Sequence, residues 1–132
     1  MSKLTLAECF KHYDTKPKNR RWSWSARSDD GTTVAVVLWS DLFLPRMAGY
    51  RNDEADPEAW RSLPGWNELA ANLQHALDHT EGLVRVIIAR AKDRTARPRT
   101  IAECFPRDDL VMRVVALDRA TGRFELQLAG HD

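Results

Sequence analysis

Between Arg21 and Arg27 the chain alternates strictly, Arg-Trp-Ser-Trp-Ser-Ala-Arg, and after Ser28-Asp29-Asp30-Gly31-Thr32 it resumes as Thr33-Val34-Ala35-Val36-Val37-Leu38-Trp39. Alternation on both sides of a Gly- and Asp-rich segment predicts a β-hairpin. Pairing Ala26 with Val34, Trp24 with Val36 and Trp22 with Leu38 collects the apolar side chains on one face. Arg21, Ser23, Ser25 and Arg27 then line the other face. A second hairpin is predicted from Leu110 to Leu128 around Asp118-Arg119-Ala120-Thr121-Gly122. Its return strand points Phe124, Leu126 and Leu128 inward and Arg123, Glu125 and Gln127 outward.

Between the hairpins, Trp66, Leu69, Ala70, Leu73, Ala76 and Leu77 recur at i, i+3, i+4, i+7, i+10 and i+11, the stripe of an amphipathic helix. The spacing predicts a helix over about Trp66 to Thr80, with Pro64-Gly65 before it and Gly82 as its stop. Leu83 to Ala91 is apolar or β-branched at nearly every position, which predicts a central strand covered on both faces. The stretch from Leu44 to Ser62, with Pro45, Gly49, Pro57 and the acids Asp53, Glu54, Asp56 and Glu58, reads as a long surface excursion.

Thr5-Leu6-Ala7-Glu8-Cys9-Phe10 is echoed by Thr100-Ile101-Ala102-Glu103-Cys104-Phe105. Both copies spell Thr-x-x-Glu, the capping box in which the Thr hydroxyl and the Glu carboxylate satisfy each other's backbone N–H groups. Two short capped helical turns are therefore expected, each followed by a loop and a hairpin. Together these elements predict an α+β fold in one domain spanning residues 1–132. Its expected form is a small, strongly curved antiparallel sheet or partly open barrel of about five strands, with one main amphipathic helix closing an end.

A chain of 132 residues with 43% hydrophobic side chains is sized for one core, without a disulfide or metal to hold it. The longest charge-free run, Gly31 to Ser40, is far short of the roughly 20 apolar residues a membrane helix needs. Met1-Ser2-Lys3-Leu4-Thr5 does not open a secretory signal, and Cys9 and Cys104 are too few and too far apart in sequence for a disulfide framework. A cytoplasmic location is expected.

The net charge of +1 conceals an uneven distribution. Lys3, Lys11, Lys16, Lys18, Arg20, Arg21 and Arg27 face only Glu8 and Asp14 in the first 27 residues. Arg85, Arg90, Lys92, Arg94, Arg97 and Arg99 face only Asp93 in a second segment, and most of the compensating acid lies between Asp29 and Glu81. If the basic segments converge, the domain has a positive face that steers a polyanion.

The densest chemistry is Lys16-Pro17-Lys18-Asn19-Arg20-Arg21-Trp22-Ser23-Trp24-Ser25, where cations run into a strand of aromatic and hydroxyl side chains. Lys16, Lys18, Arg20, Arg21, Arg90, Lys92, Arg94, Arg97 and Arg99 are the expected phosphate contacts. Ser23 and Ser25 are the candidates for contact with a base or modified base. Trp39, Tyr50 and Trp60, in or beside the acidic excursion, are the aromatic pocket candidates. In architecture, a small curved sheet with basic edges and aromatics is similar to the PUA-like group of domains, which bind RNA or modified bases in DNA. That resemblance implies nucleic-acid binding and assigns no residue.

The expected function is a non-enzymatic nucleic-acid-binding module, with DNA or RNA as partner and a modified or flipped base as a specific target. The alternative is a protein-interaction or small-ligand adaptor using the acidic excursion, Asp53 to Glu58 with Trp60, as its contact surface. A small enzyme built on Cys9 with His12 is a third reading. The chain has no Gly-rich phosphate loop, Gly-x-Ser-x-Gly elbow or His-Glu-x-x-His helix, so no catalytic residues are assigned. His75 and His79 have the i, i+4 spacing of metal ligands, but the helical wheel turns them away from the apolar stripe and no further ligand lies nearby in sequence. No metal or cofactor is expected. Cys9 and Cys104 are read as small core residues.

Overall fold

A computed structural model describes residues 4–18, 23–45, 48–51, 64–93, 101–119 and 123–130. In chain order the elements are α1 (Leu6–His12), β1 (Ser25–Arg27), β2 (Val34–Trp39), a 3-10 turn (Ser40–Leu42), β3 (Gly49–Arg51), α2 (Pro64–His79), β4 (Leu83–Ala91), β5 (Ile101–Asp118) and β6 (Arg123–Gly130). The strands form one mixed sheet in the order β1-β2-β4-β5-β6-β3. The fold is α+β as expected, but the sheet has two edges, β1 and β3, and does not close into a barrel. Nor is it wholly antiparallel, because β2 and β4 run parallel and α2 lies in the crossover between them.

The two central strands explain their own composition. Val34, Val36 and Leu38 of β2 and Val84, Val86 and Ile88 of β4 pack with Trp66, Leu69, Leu73 and Ala76 of α2. The alternate residues Ala35, Val37, Ile87 and Ala89 meet Cys9 and Phe10 of α1 on the opposite face, together with Ala26 and Cys104. A strand covered by a helix on each face has no solvent side, so it carries apolar residues continuously. The alanines on the α1 face leave room for a short helix to lie close.

Both helix boundaries follow local chemistry. At the start of α1, Thr5 Oγ1 accepts the Glu8 N–H at 3.1 Å, and the Thr5 N–H donates to Glu8 Oε1 at 2.9 Å. These hydrogen bonds hold the Glu8 carboxyl below its ordinary pKa. After α2, Gly82 at φ +80° donates its N–H to the Ala76 carbonyl at 2.7 Å, which ends the helix.

The second Thr-x-x-Glu copy behaves differently. Ile101 to Phe105 are strand, the start of the 18-residue β5, with Glu103, Cys104 and Phe105 opposite Arg90, Ala89 and Ile88. Only the first copy opens a helix, so the expected pair of capped turns is corrected to one. A strand partner on β4 outweighs a local capping signal worth about 1 kcal/mol. Asp108 and Asp109 sit in an irregularity within β5, between Arg107 opposite Val86 and Val111 opposite Arg85.

The first hairpin forms in a different register from the predicted one. Ser25 pairs with Val36, Ala26 with Ala35 and Arg27 with Val34. This is one residue away from the expected pairing, and a one-residue slip exchanges the two faces of a strand. The second hairpin forms as expected, with Phe124 and Leu126 buried and Arg123 and Gln127 exposed. Part of the supposed surface excursion is also sheet, since Gly49–Arg51 pairs with β6 as an edge strand.

Candidate nucleic-acid interface

The sheet register decides where the two basic segments leave the fold. The Val37 N–H donates to the Trp24 carbonyl at 2.9 Å, so the chain entering β1 reaches the sheet level with Val37 and Ile87. Trp39 then pairs with Ala89, and Arg90, Ala91 and Lys92 continue beyond it. Ser23 and Trp24 therefore lie toward the same end of the sheet as Arg90 and Lys92, separated by two strand spacings, roughly 10 Å, across the sheet and by two to five residues along it. Lys18 approaches along the outer side of β1, where its backbone N–H donates to Glu68 Oε2 at 2.9 Å. Lys18, Arg90 and Lys92 are all exposed.

Other members of the predicted set lie elsewhere. Lys16 bridges to Arg27 at the opposite end of β1, and its ammonium meets Asp29 at 3.0 Å, so part of its charge is spent within the protein. That ion pair raises the Lys16 pKa. Arg90 Nη1 lies 3.1 Å from Glu103 Oε1, and its guanidinium stands 5.8 Å from the Phe105 ring centre. Arg20, Arg21, Arg94, Arg97, Arg99 and Trp60 lie outside the described residues, as does the acidic run Asp53 to Glu58.

Ser23 and Ser25 are not surface groups. They are 1% and 0% exposed, because the observed register turns Ser25 toward α2 with Val36. Asn72 Nδ2 donates to Ser25 Oγ at 2.8 Å, and Glu68, 5% exposed, lies one helical turn away. These residues form a buried polar seam between edge strand and helix, and direct base contact by the two serines is corrected. Tyr50 is also core, at 2% exposure: it stacks on Phe124 at 5.9 Å, and its hydroxyl accepts the Trp39 N–H at 3.2 Å. Of the three aromatic candidates, Trp39 alone is described and at least partly exposed, at the end of β2 beside the basic strand end.

His75 and His12 have hydrogen-bond partners within the fold. His75 Nε2 lies 2.8 Å from the Gly31 carbonyl and Nδ1 lies 2.8 Å from Arg27 Nη1. A carbonyl only accepts and a guanidinium only donates, so Nε2 donates to Gly31 and Nδ1 accepts from Arg27. Both ring nitrogens are occupied, and the expected solvent-facing position holds for His79 but not for His75. Among the described residues no group of three metal-ligating side chains is present. Cys9 meets Cys104 rather than His12, whose Nε2 lies 2.7 Å from Asp108. An open groove of about 760 Å³ lies near the N-terminal ends of β2 and β4, lined by Asp30, Thr33, His75, His79, Glu81 and Arg85 among others. It is distinct from the basic strand ends. No helix is long and apolar enough to cross a membrane among the described residues.

Comparison with protein-family models, curated proteins and solved structures finds no match to this chain.

Proposed function

We propose that this domain binds nucleic acid through the sheet end where the chain enters β1 and leaves β4. The observation that carries the proposal is the register: it brings the attachment points of the two basic segments to one end of the sheet, two strands apart. Lys18, Arg90 and Lys92 provide exposed cations there, and Trp39 provides a half-buried aromatic surface. Phosphates are the natural ligands of such a cluster, with a base stacking on the indole as the secondary contact. The buried serines and Tyr50 take no part.

The test is fluorescence anisotropy with labelled single- and double-stranded DNA and RNA at two salt concentrations. Binding is expected to weaken steeply with salt. The combined substitution Lys18→Ala, Arg90→Ala, Lys92→Ala should lower the salt slope by about 2–3 for duplex DNA, near 0.9 per lost phosphate contact. Salt-independent binding, or an unchanged slope in the triple variant, would overturn the proposal.

A further inference from the structure

Cys9 on α1 and Cys104 on β5 are separated by 95 positions in the chain, yet their Sγ atoms lie 3.6 Å apart. Both are free thiols, 0% and 6% exposed. They occupy the layer between α1 and the sheet with Phe10, Val37, Ile87 and Ala89. Cys104 Sγ also lies 3.7 Å from the Leu4 carbonyl. A core needing only small apolar volume at this point is filled as well by alanine or valine. Two thiols in contact across different elements add a chemistry those residues lack. Closing the contact to an S–S bond of about 2.05 Å needs a shift of under about 1 Å from each sulfur, within reach of side-chain rotation.

We propose that Cys9 and Cys104 form a reversible dithiol–disulfide pair, oxidised by a small-molecule disulfide, that joins α1 covalently to β5. The two sulfurs have unequal roles. Cys104 is the more accessible and accepts the Cys9 S–H, an interaction that lowers its pKa. Cys9, the donor and fully covered, has its thiol pushed up by the same contact and by burial. The Cys104 thiolate attacks one sulfur of the small disulfide RSSR, forming a mixed disulfide and releasing RS⁻. Cys9 then gives up its proton and attacks the Cys104 sulfur, breaking the mixed disulfide and expelling the second RS⁻. The two released thiolates take up the two thiol protons. The protein loses two hydrogens and two electrons, and RSSR becomes two RSH.

The closed form links residues so distant in sequence that the unfolded chain loses much of its loop-closure freedom. In the reduced form α1 is held without any covalent link, through Phe10, the Tyr13 hydroxyl on the Val86 carbonyl at 3.0 Å, and the His12 contact to Asp108. Oxidation adds a covalent link to this docking for as long as the disulfide stands. The inference is independent of nucleic-acid binding.

The test uses the full chain, reduced and then equilibrated without oxygen in graded mixtures of reduced and oxidised glutathione. Samples are quenched in acid, unfolded, treated with a maleimide and read by intact mass. The expected product is a monomer that takes no maleimide, has lost two hydrogens, and melts about 10 °C higher than the reduced form. Excess reduced glutathione should return it to the dithiol. Cys9→Ala should stop at one glutathione on Cys104, and Cys104→Ala should take none. If either variant fails to fold, the mass and melting shift of the unsubstituted chain still decide. Two free thiols throughout the range, an adduct that never closes, or oxidation only to linked dimers would each overturn the proposal.

Discussion

Replacing Tyr13 by Phe tests how α1 is fixed to the sheet. The Tyr13 hydroxyl donates to the Val86 carbonyl at 3.0 Å, and its ring stands edge-on to His12 with centroids 5.0 Å apart. Burial first, and then the Asp108 carboxylate, push the phenol pKa up to about 12. Below pH 10 the substitution removes one net hydrogen bond, a loss of about 1 kcal/mol. Above pH 10 the unfolded chain ionises its tyrosine first, so the unfolded state binds fewer protons and stability falls as pH rises. The raised pKa thus marks stability that is complete below about pH 10 and lost by about pH 12. A fully buried group would lose about 1.4 kcal/mol per pH unit in this window, and partial exposure of Tyr13 cuts that to roughly half. The destabilisation by Tyr13→Phe should therefore shrink from about 1 kcal/mol at pH 8 to about 0.3 kcal/mol at pH 11, and reverse near pH 12. Urea unfolding of both proteins, followed by the fluorescence of the five tryptophans, measures this difference while effects common to both cancel. A destabilisation that stays constant from pH 8 to 11 would refute the burial argument. None at pH 8 would refute the hydrogen bond.

Leu73, 0% exposed at the centre of α2, should lower unfolding free energy by about 2–5 kcal/mol when replaced by Ala, read from the urea midpoint. Gly82→Ala should destabilise by more than about 1 kcal/mol in the same assay, because φ is +80° and the new Cβ would lie 3.2 Å from Arg113 Cγ and 3.3 Å from the Val114 carbonyl oxygen. Asp30 is held at a pKa of about 2 by the Ser28 hydroxyl and then by the Thr32 hydroxyl and N–H. Its contribution is present above its ordinary pKa of 3.8 and lost as pH falls toward 2. Asp30→Ala should therefore lower the melting temperature at pH 6 and by much less at pH 2, as scanning calorimetry would show.

The buried polar seam of Ser25, Asn72 and Glu68 and the paired thiols were both hidden from sequence reasoning for one reason: each joins side chains from elements distant along the chain. The only sequence signal for the thiols was the echoed Glu-Cys-Phe, which read as a repeated helix start. The signal for the seam was Ser23 and Ser25 on an alternating strand, which read as a polar outer face. Both signals were present, and their meaning depended on pairing partners the sequence does not name.

The sequence by itself determined the elements whose signals are local. The i, i+3, i+4 stripe predicted α2 from about Trp66 to Thr80, and it runs from Pro64 to His79. The apolar run Leu83–Ala91 identified the doubly covered central strand, Thr5 and Glu8 marked the start of α1, and the alternation in Arg123 to Leu128 fixed which way Phe124 and Leu126 point. Tertiary structure decided everything that depends on register and partner. It turned Ser25 inward through a one-residue shift against β2, and it drew Ile101–Phe105 into a strand because β4 offered backbone pairing. It recruited Gly49–Arg51 as an edge, and it brought Cys9 to Cys104. A helical stripe or a capping box is satisfied within a few residues. A strand face is assigned only when its neighbour is, because a shift of one position leaves the local sequence unchanged and reverses which side chains are buried.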